Sequence, residues 1–199
     1  MDSTALAARR RRGEKGYARL QRDIAALRRE NARLQTLAGT APLTGLANRR
    51  GLAAVWQHEQ ARARRHAYPC SVLAIDLDHF KQINDRWGHA GGDRALAAVA
   101  RLLLASVRGE DLVARVGGDE FLVLLPQADH APAWTIAKRV QTALRQPDVA
   151  PDPGGWTLSI GIAGTHATPD GELFAAADRA LYYAKERGRN QIAIWEGGC

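Results

Sequence analysis

No stretch of this 199-residue sequence approaches the roughly 18 consecutive apolar residues that a membrane span needs. The arginine run near the N-terminus is followed by no apolar segment of signal-peptide length, so a cytoplasmic chain is expected. Cysteine is nearly absent. Cys70 and Cys199 cannot build a disulfide framework, and neither has a CxxC partner of the kind that holds a metal. Cys70 reads instead as a small apolar residue at a strand entrance. Internal repeats and low-complexity tracts are also missing, which leaves one ordinary globular core and an appendage.

The larger part of the chain lacks charge of one sign. Of the net charge of +7, residues 1–40 hold ten Lys or Arg against four Asp or Glu, and residues 41–199 hold eighteen against seventeen. Basicity is thus a property of the N-terminal arm, and the high isoelectric point says little about the main domain.

In that arm, Tyr17, Leu20, Ile24, Leu27, Asn31, Leu34 and Ala38 step by alternating threes and fours, the a/d spacing of a coiled coil about three heptads long. Asn31 falls at an a position, where a polar residue costs stability but fixes register and favours a parallel dimer. A single amphipathic helix packed on its own domain is the plainer alternative. The upstream ARRRRGEK invites comparison with a basic-region zipper, but Gly13 and Gly16 break the helix where that reading needs continuity. Binding to a nucleic-acid polymer is therefore not expected. Gly39 to Pro42 forms a hinge, dividing a stalk over residues 1–38 from a domain over residues 39–199.

Past the hinge, hydrophobic periodicity predicts a helix over Asn48–Arg65, a strand over Ser71–Leu77, a loop through Gly92, and a helix over Asp93–Val107. The two arms of a hairpin follow, then a helix over Pro132–Arg145, a strand over Trp156–Ala163, a helix over Gly171–Arg187 and a strand over Gln191–Trp195. That order, with a hairpin in the middle, predicts an α+β sandwich around a largely antiparallel five-stranded sheet.

Two acidic clusters fall at strand ends. In SVLAIDLDHF the alternation of side chains puts Asp76 and Asp78 on one face and Leu77 on the other. Carboxylates at the end of a buried strand need compensation, for which a hard divalent ion is one solution and solvent exposure another. In RVGGDEFLVLL, Gly117 and Gly118 allow a tight turn and the close approach of a phosphate, and Asp119 and Glu120 follow at once. If the two strands are neighbours, three or four acids converge at one sheet edge, the footing of metal-assisted phosphoryl transfer. Taken alone, GGDE is an ordinary acidic turn.

Five blocks in order carry a closer resemblance: LTGLANRR (Leu43–Arg50), IDLDHFKQINDRWGHAGGD (Ile75–Asp93), RVGGDEF (Arg115–Phe121), SIGIA (Ser159–Ala163) and ADRALYYAKERGRNQ (Ala177–Gln191). Over residues 41–196 the chain resembles the GGDEF family of diguanylate cyclases, which condense two GTP into cyclic di-GMP. The resemblance implies a palm-like, ferredoxin-like nucleotidyl-cyclase sandwich. It implies Mg²⁺ (or Mn²⁺) bound by the side chains of Asp76 and Glu120 and the carbonyl of Leu77, with Asp119 binding metal or helping to deprotonate the attacking 3′-hydroxyl.

By the same resemblance Asn84 and Asp93 read guanine, chemistry that an amide and a carboxylate suit; Asp93 has the simpler reading of a helix N-cap. Lys81 and the backbone N–H groups around His79 and Phe80 would hold the terminal phosphates. Lys185 and Arg189 would reach the triphosphate, although cations near a helix C-terminus are common for other reasons. Arg108 and Asp111 match the family's RxxD inhibitory site for product, with Arg139 as a second arm. One position departs from the pattern: Ala41 stands where the family has Asp before x-L-T, which removes a polar tie near the stalk junction, with Arg115 as a partner for it.

Each such domain holds one GTP, so a homodimer is expected, and the stalk would supply it by raising effective concentration. The rival reading is a non-catalytic receptor for cyclic di-GMP or GTP acting through protein contacts; a third is a related palm-type enzyme acting on another nucleotide.

Overall fold

The computed structural model describes residues 39–146, 149, 155–168 and 171–197, together with positions 17, 21, 23, 24, 27, 28, 30 and 34. The chain divides into two units, Met1–Ala38 and Gly39–Cys199. Of the heptad positions in the first unit, Tyr17, Ile24, Leu27 and Leu34 are described; each is helical and each side chain is exposed. Leu20, Asn31 and Ala38, and the arginine run, lie outside the described residues.

In the second unit, helix α1 (Arg49–His66) starts at Asn48, whose side chain accepts hydrogen bonds from the N–H groups of Arg50 and Gly51, both at 3.0 Å. It ends where Ala67 turns left-handed. Strand β1 (Cys70–Leu77) follows and is buried along its whole length, as its nearly unbroken apolar run requires. Cys70 is fully buried at its start. Helix α2 (Phe80–Ser106) comes next, then β2 (Leu112–Arg115), β3 (Glu120–Pro126), α3 (His130–Leu144), β4 (Leu158–Gly164), α4 (Leu173–Glu186) and β5 (Ile192–Ile194).

The five strands form one sheet in the order β2-β3-β1-β4-β5. It is antiparallel throughout except where β5 runs parallel to β4. Side-chain alternation makes two cores, one on each face. Leu73, Ile75, Leu77, Phe121, Val123 and Leu125 point to the face covered by α2 and α3, while Val72, Ala74, Leu122 and Leu124 point to the face covered by α1 and α4. Asp76 continues the Val72 and Ala74 series, so the alternation sends it to the α1 and α4 face.

Residues 80–92 do not form the expected loop. They are helical, and α2 is two helical segments meeting at Gly88 (φ 67°, ψ 173°), so Asp93 lies inside a helix and is not an N-cap. The density of glycine misleads here because only Gly88 acts as a breaker. Gly92 serves close packing: a Cβ on it would lie 2.1 Å from Asn84 Oδ1 and 3.1 Å from the Phe80 ring, so its bareness lets the two segments close on each other.

Gly161 in β4 has a similar purpose on the opposite face. A Cβ there would meet the backbone of α4 at 2.1 Å from Leu181 N and 2.2 Å from Ala177 O. The helix therefore rests directly on the strand, which fixes how far its polar C-terminal turn reaches over the sheet.

Candidate active site

Strand register brings the acids together. Asp76 is directly opposite Glu120 on β3 and Ser159 on β4, so these side chains share the α1 and α4 face. Asp76 is buried, and the ammonium of Lys185, held over the sheet by α4, lies 2.7 Å from its Oδ2. Burial pushes the Asp76 carboxyl above the ordinary carboxylate range; Lys185 opposes that shift, and the charges of Asp119 and Asp78 add to it. Leu77 points to the opposite core, and its N–H donates to the Asp119 carbonyl at 3.2 Å.

The hairpin tip is held by Arg115. Its Nε and Nη2 donate to the Gly118 carbonyl at 3.2 and 2.6 Å. Burial lowers the Arg115 pKa, while Asp93 and Asp119 beside it favour its charged form. Glu120 is exposed and folds back over Gly117, where a Cβ would come within 2.4 Å of Oε2; Gly118 is open. Ala41 is buried and its N–H donates to the Leu46 carbonyl at 2.7 Å, closing a turn at the start of the second unit.

The candidate guanine readers come from the two segments of α2. Asn84 is half-buried and Asp93 exposed, with the bare Gly92 next to Asp93 packed against Asn84. At the start of α2, His79 adopts a left-handed conformation (φ 57°), Phe80 packs partly into the core and Lys81 is exposed. Arg189 is exposed in the turn after α4, also left-handed (φ 64°).

Several participants escape sequence reasoning. Asp178 lies one helical face along from Lys185, at i and i+7 on α4, a spacing that was available as a signal. The residue is exposed, but its carboxyl is partly desolvated beside Glu120 and Arg49: that desolvation and the Glu120 charge raise its pKa, and Arg49 lowers it. Arg49 also donates to the Val116 carbonyl at 3.4 Å, tying α1 to the hairpin. These groups border a cleft of about 670 Å³ between α1 and α4, walled by Trp56 and Phe174, whose rings meet edge-on at 5.5 Å. Asp78 shares the Asp76 face as expected, but its carboxylate is occupied by Thr157, Ser159 and the Asn190 N–H.

The third set of expected residues lies around the start of β2. Asp111 Oδ2 accepts from the Arg108 N–H at 2.7 Å, and the Asp111 N–H returns to the Arg108 carbonyl at 3.2 Å, making a closed turn. Burial raises the Asp111 pKa and the Arg108 backbone hydrogen bond opposes the shift. Arg139 reaches from α3 to the Ser106 carbonyl at the end of α2, two residues before Arg108.

Comparison with known proteins identifies the family. The family described as diguanylate cyclase, GGDEF domain, matches residues 38–191. Among curated proteins, the diguanylate cyclase DosC of Escherichia coli K12 is 42% identical over 158 residues, covering 77% of this chain and 34% of DosC. The chain therefore spans about a third of the length of that relative. Among solved structures, the GGDEF domain of DgcB from Caulobacter crescentus in complex with c-di-GMP superposes with a TM-score of 0.73 at 29% identity, covering 80% of this chain and 94% of that one. The diguanylate cyclase SiaD of Pseudomonas aeruginosa, in complex with its activator SiaC, gives 0.70 at 35% identity, covering 96% of this chain and 75% of SiaD. With the family's motifs at the strand ends and helix turns where the fold gathers them, this chain belongs to the GGDEF-domain family of diguanylate cyclases.

Proposed function

We propose that the protein condenses two GTP molecules into cyclic di-GMP and two pyrophosphates, one GTP being held by each subunit of a homodimer. The observation that carries this reading is the register Asp76–Glu120 with Lys185 Nζ at 2.7 Å from Asp76 Oδ2, on the sheet end nearest the GGDE turn.

Among the described residues no group of three or more His, Cys, Asp and Glu is gathered as a metal cluster. The implied set is smaller, two carboxylates and the Leu77 carbonyl, and its hard oxygens fit Mg²⁺ or Mn²⁺ with phosphate oxygens completing the shell. The ammonium on Asp76 supports the fit, since it marks that oxygen as a seat for a cation. When bound, the ion would offset charge on the reacting phosphate and on the leaving pyrophosphate.

The chain's own groups do the rest. Asn84 and Asp93 orient guanine through its polar edge, and Lys81 with the backbone N–H groups of His79 and Phe80 holds the terminal phosphates. Lys185, which contacts Asp76 Oδ2 at 2.7 Å, and Arg189 in the turn after it would place their charges against the triphosphate. The 3′-hydroxyl of one nucleotide attacks the α-phosphorus of the other, Asp119 accepts its proton, and pyrophosphate departs. Repetition of this step across the twofold axis closes the ring. The exposed apolar positions Tyr17, Ile24, Leu27 and Leu34 support pairing of two stalks. The closed Arg108–Asp111 turn, with Arg139 bound at its base, is the seat for inhibitory product, where guanidinium and carboxylate suit a guanine edge. The reaction belongs in the cytoplasm, where GTP is available.

Incubating the purified chain with GTP and Mg²⁺ and resolving the products by chromatography tests the reading. Cyclic di-GMP is expected from the wild type and none from Glu120→Gln, which keeps the shape and removes the charge. Nucleotide binding without any product from the wild type would instead make the protein a receptor, and product from ATP would assign it to another palm-type chemistry.

A further inference from the structure

Asp78 is among the most buried acids of the domain, and the chemistry above leaves it unused. Its residue is 3% exposed. Three donors converge on the carboxylate: Ser159 Oγ on Oδ1 at 2.7 Å, and Thr157 Oγ1 and the Asn190 N–H on Oδ2 at 2.8 and 3.0 Å. A carboxylate has about four acceptor positions, so little of its capacity is left for a metal. Two of the donors come from the edge of β4 and one from the turn between α4 and β5.

That turn is unusual. Gly188, Arg189 and Asn190 have φ of 106°, 64° and 50°, three successive left-handed residues of which two carry side chains. Such a conformation persists only where surrounding contacts over-determine it. Gln191 caps the turn through the Arg187 and Arg189 carbonyls at 2.7 and 3.2 Å, and Arg145 donates to Asn190 Oδ1 at 3.2 Å, contacts that are exposed. The Arg189 N–H donates to the Ala184 carbonyl at 3.1 Å and the Ile160 N–H of β4 to the Gln191 carbonyl at 3.0 Å, neither of which pairs the Asn190 N–H. The Asp78 contact anchors the turn to the sheet from the buried side. It fixes the residue immediately after Arg189, and it does so from a point two residues beyond Asp76.

We propose that Asp78 is a positioning residue: its carboxylate ties the α4–β5 turn to the end of β1 and so places Arg189 against the phosphates of the bound nucleotide. The proposal rests on the reading that the site takes GTP, and it assigns Asp78 a different role from Asp76 although the two acids stand in one DxD. A tether needs an acceptor more than it needs a charge. In Asp78→Asn the amide oxygen accepts from the Asn190 N–H and Thr157, and the amide nitrogen donates to Ser159, whose hydroxyl can reverse its role. In Asp78→Ala the Asn190 N–H loses its partner, and the left-handed turn keeps only its backbone ties at Arg189 and Gln191 and its exposed side-chain contacts.

The experiment measures binding of GMP and of an α,β-methylene analogue of GTP, which cannot be condensed, by calorimetry with Mg²⁺. Amide exchange at Asn190 is read by NMR in the same proteins. The expected result for Asp78→Ala is a loss of about tenfold in affinity for the triphosphate analogue with GMP binding changed less than about twofold. Asp78→Asn should stay within about threefold of wild type for both ligands. Arg189→Ala should lose as much as Asp78→Ala, and the double variant should lose no more than Arg189→Ala alone. If Asp78→Ala does not fold, Thr157→Val gives a milder version with the same selectivity for the triphosphate. Fast exchange at Asn190 is expected in Asp78→Ala and wild-type protection in Asp78→Asn.

Equal loss for GMP and the triphosphate, additive losses in the double variant, or an Asp78→Asn as damaged as Asp78→Ala would overturn the proposal. The last of these would mean that the charge itself is used, as in a metal ligand. A wild type that binds neither nucleotide would overturn the GTP reading and the phosphate-placing role with it, while Asn190 exchange would still report whether the tether exists.

Discussion

Placing a methyl group on Gly161 tests whether the contact between β4 and α4 sets the active-site geometry. The alanine Cβ would fall 2.1 Å from Leu181 N and 2.2 Å from Ala177 O, both backbone atoms that no rotamer change can move. Restoring ordinary van der Waals separation of roughly 3.5 Å requires α4 to lift by about 1 Å or more from the sheet. The helix carries Lys185, whose Nζ is 2.7 Å from Asp76, and Asp178. Overpacking of this kind costs about 1–3 kcal/mol. For a unit of this size that corresponds to a fall in melting temperature of about 3–10 °C. Misplacing a catalytic group by ~1 Å costs on the order of 100-fold in rate. Gly161→Ala should therefore remain folded at 20 °C, melt several degrees early, and lose cyclic di-GMP formation far beyond what its melting curve explains. Thermal melts followed by circular dichroism and initial rates at 20 °C give the two numbers. A variant with wild-type melting and wild-type turnover would refute the reasoning, because it would show that α4 does not rest on β4 as tightly as the geometry requires.

Two other perturbations give separate checks. Desolvation and the Glu120 charge raise the pKa of Asp178 in the folded protein, so the stability linked to it is full below the unfolded pKa and is lost as pH rises through the folded value. Asp178→Asn should accordingly raise the melting temperature slightly at pH 7.5, by no more than about 1 °C because solvent screens this exposed group, with the gain gone below about pH 4; a variant less stable than wild type at pH 7.5 would show that the Arg49 contact outweighs the desolvation. Leu27→Pro interrupts the stalk helix at a heptad position, and sedimentation should show the dimer weakened at micromolar concentration with product formation falling by at least about tenfold; full turnover from a demonstrated monomer would remove the stalk from the mechanism.

The strands were legible because β1 and β3 are unbroken apolar runs bounded by acids and glycines, and their alternation assigns Asp76 and Glu120 to faces without further information. The same local logic failed between Asp78 and Gly92. Glycine content there reads as loop, yet a glycine that breaks a helix and one that admits a neighbouring turn look alike in sequence. Gly88 is the first kind and Gly92 the second, and only the packing of Asn84 and Phe80 against Gly92 tells them apart.

The acids raise the corresponding problem in charge. Asp76 and Asp78 are identical in type, share a face and are two residues apart, and a DxD pattern offers no ground for separating them. Their neighbours from distant segments do so. Asp76 meets the ammonium of Lys185 from α4, a side-chain cation for which another cation can substitute. Asp78 meets two hydroxyls and a backbone N–H held by the sheet edge and a tight turn, donors that have nowhere else to go. Arg49 is hidden for the same reason, and the i and i+7 spacing of Asp178 from Lys185 gains meaning only from the Glu120 hairpin, more than sixty residues along the chain from Arg49 and more than fifty from Asp178. A carboxylate whose compensating charge can leave is suited to binding, and one whose donors are fixed is suited to holding structure. On that criterion the chemistry of this site divides between neighbouring acids on one strand end, and the prediction that Asp78 tolerates asparagine where Glu120 does not tolerate glutamine follows from what each carboxylate has around it.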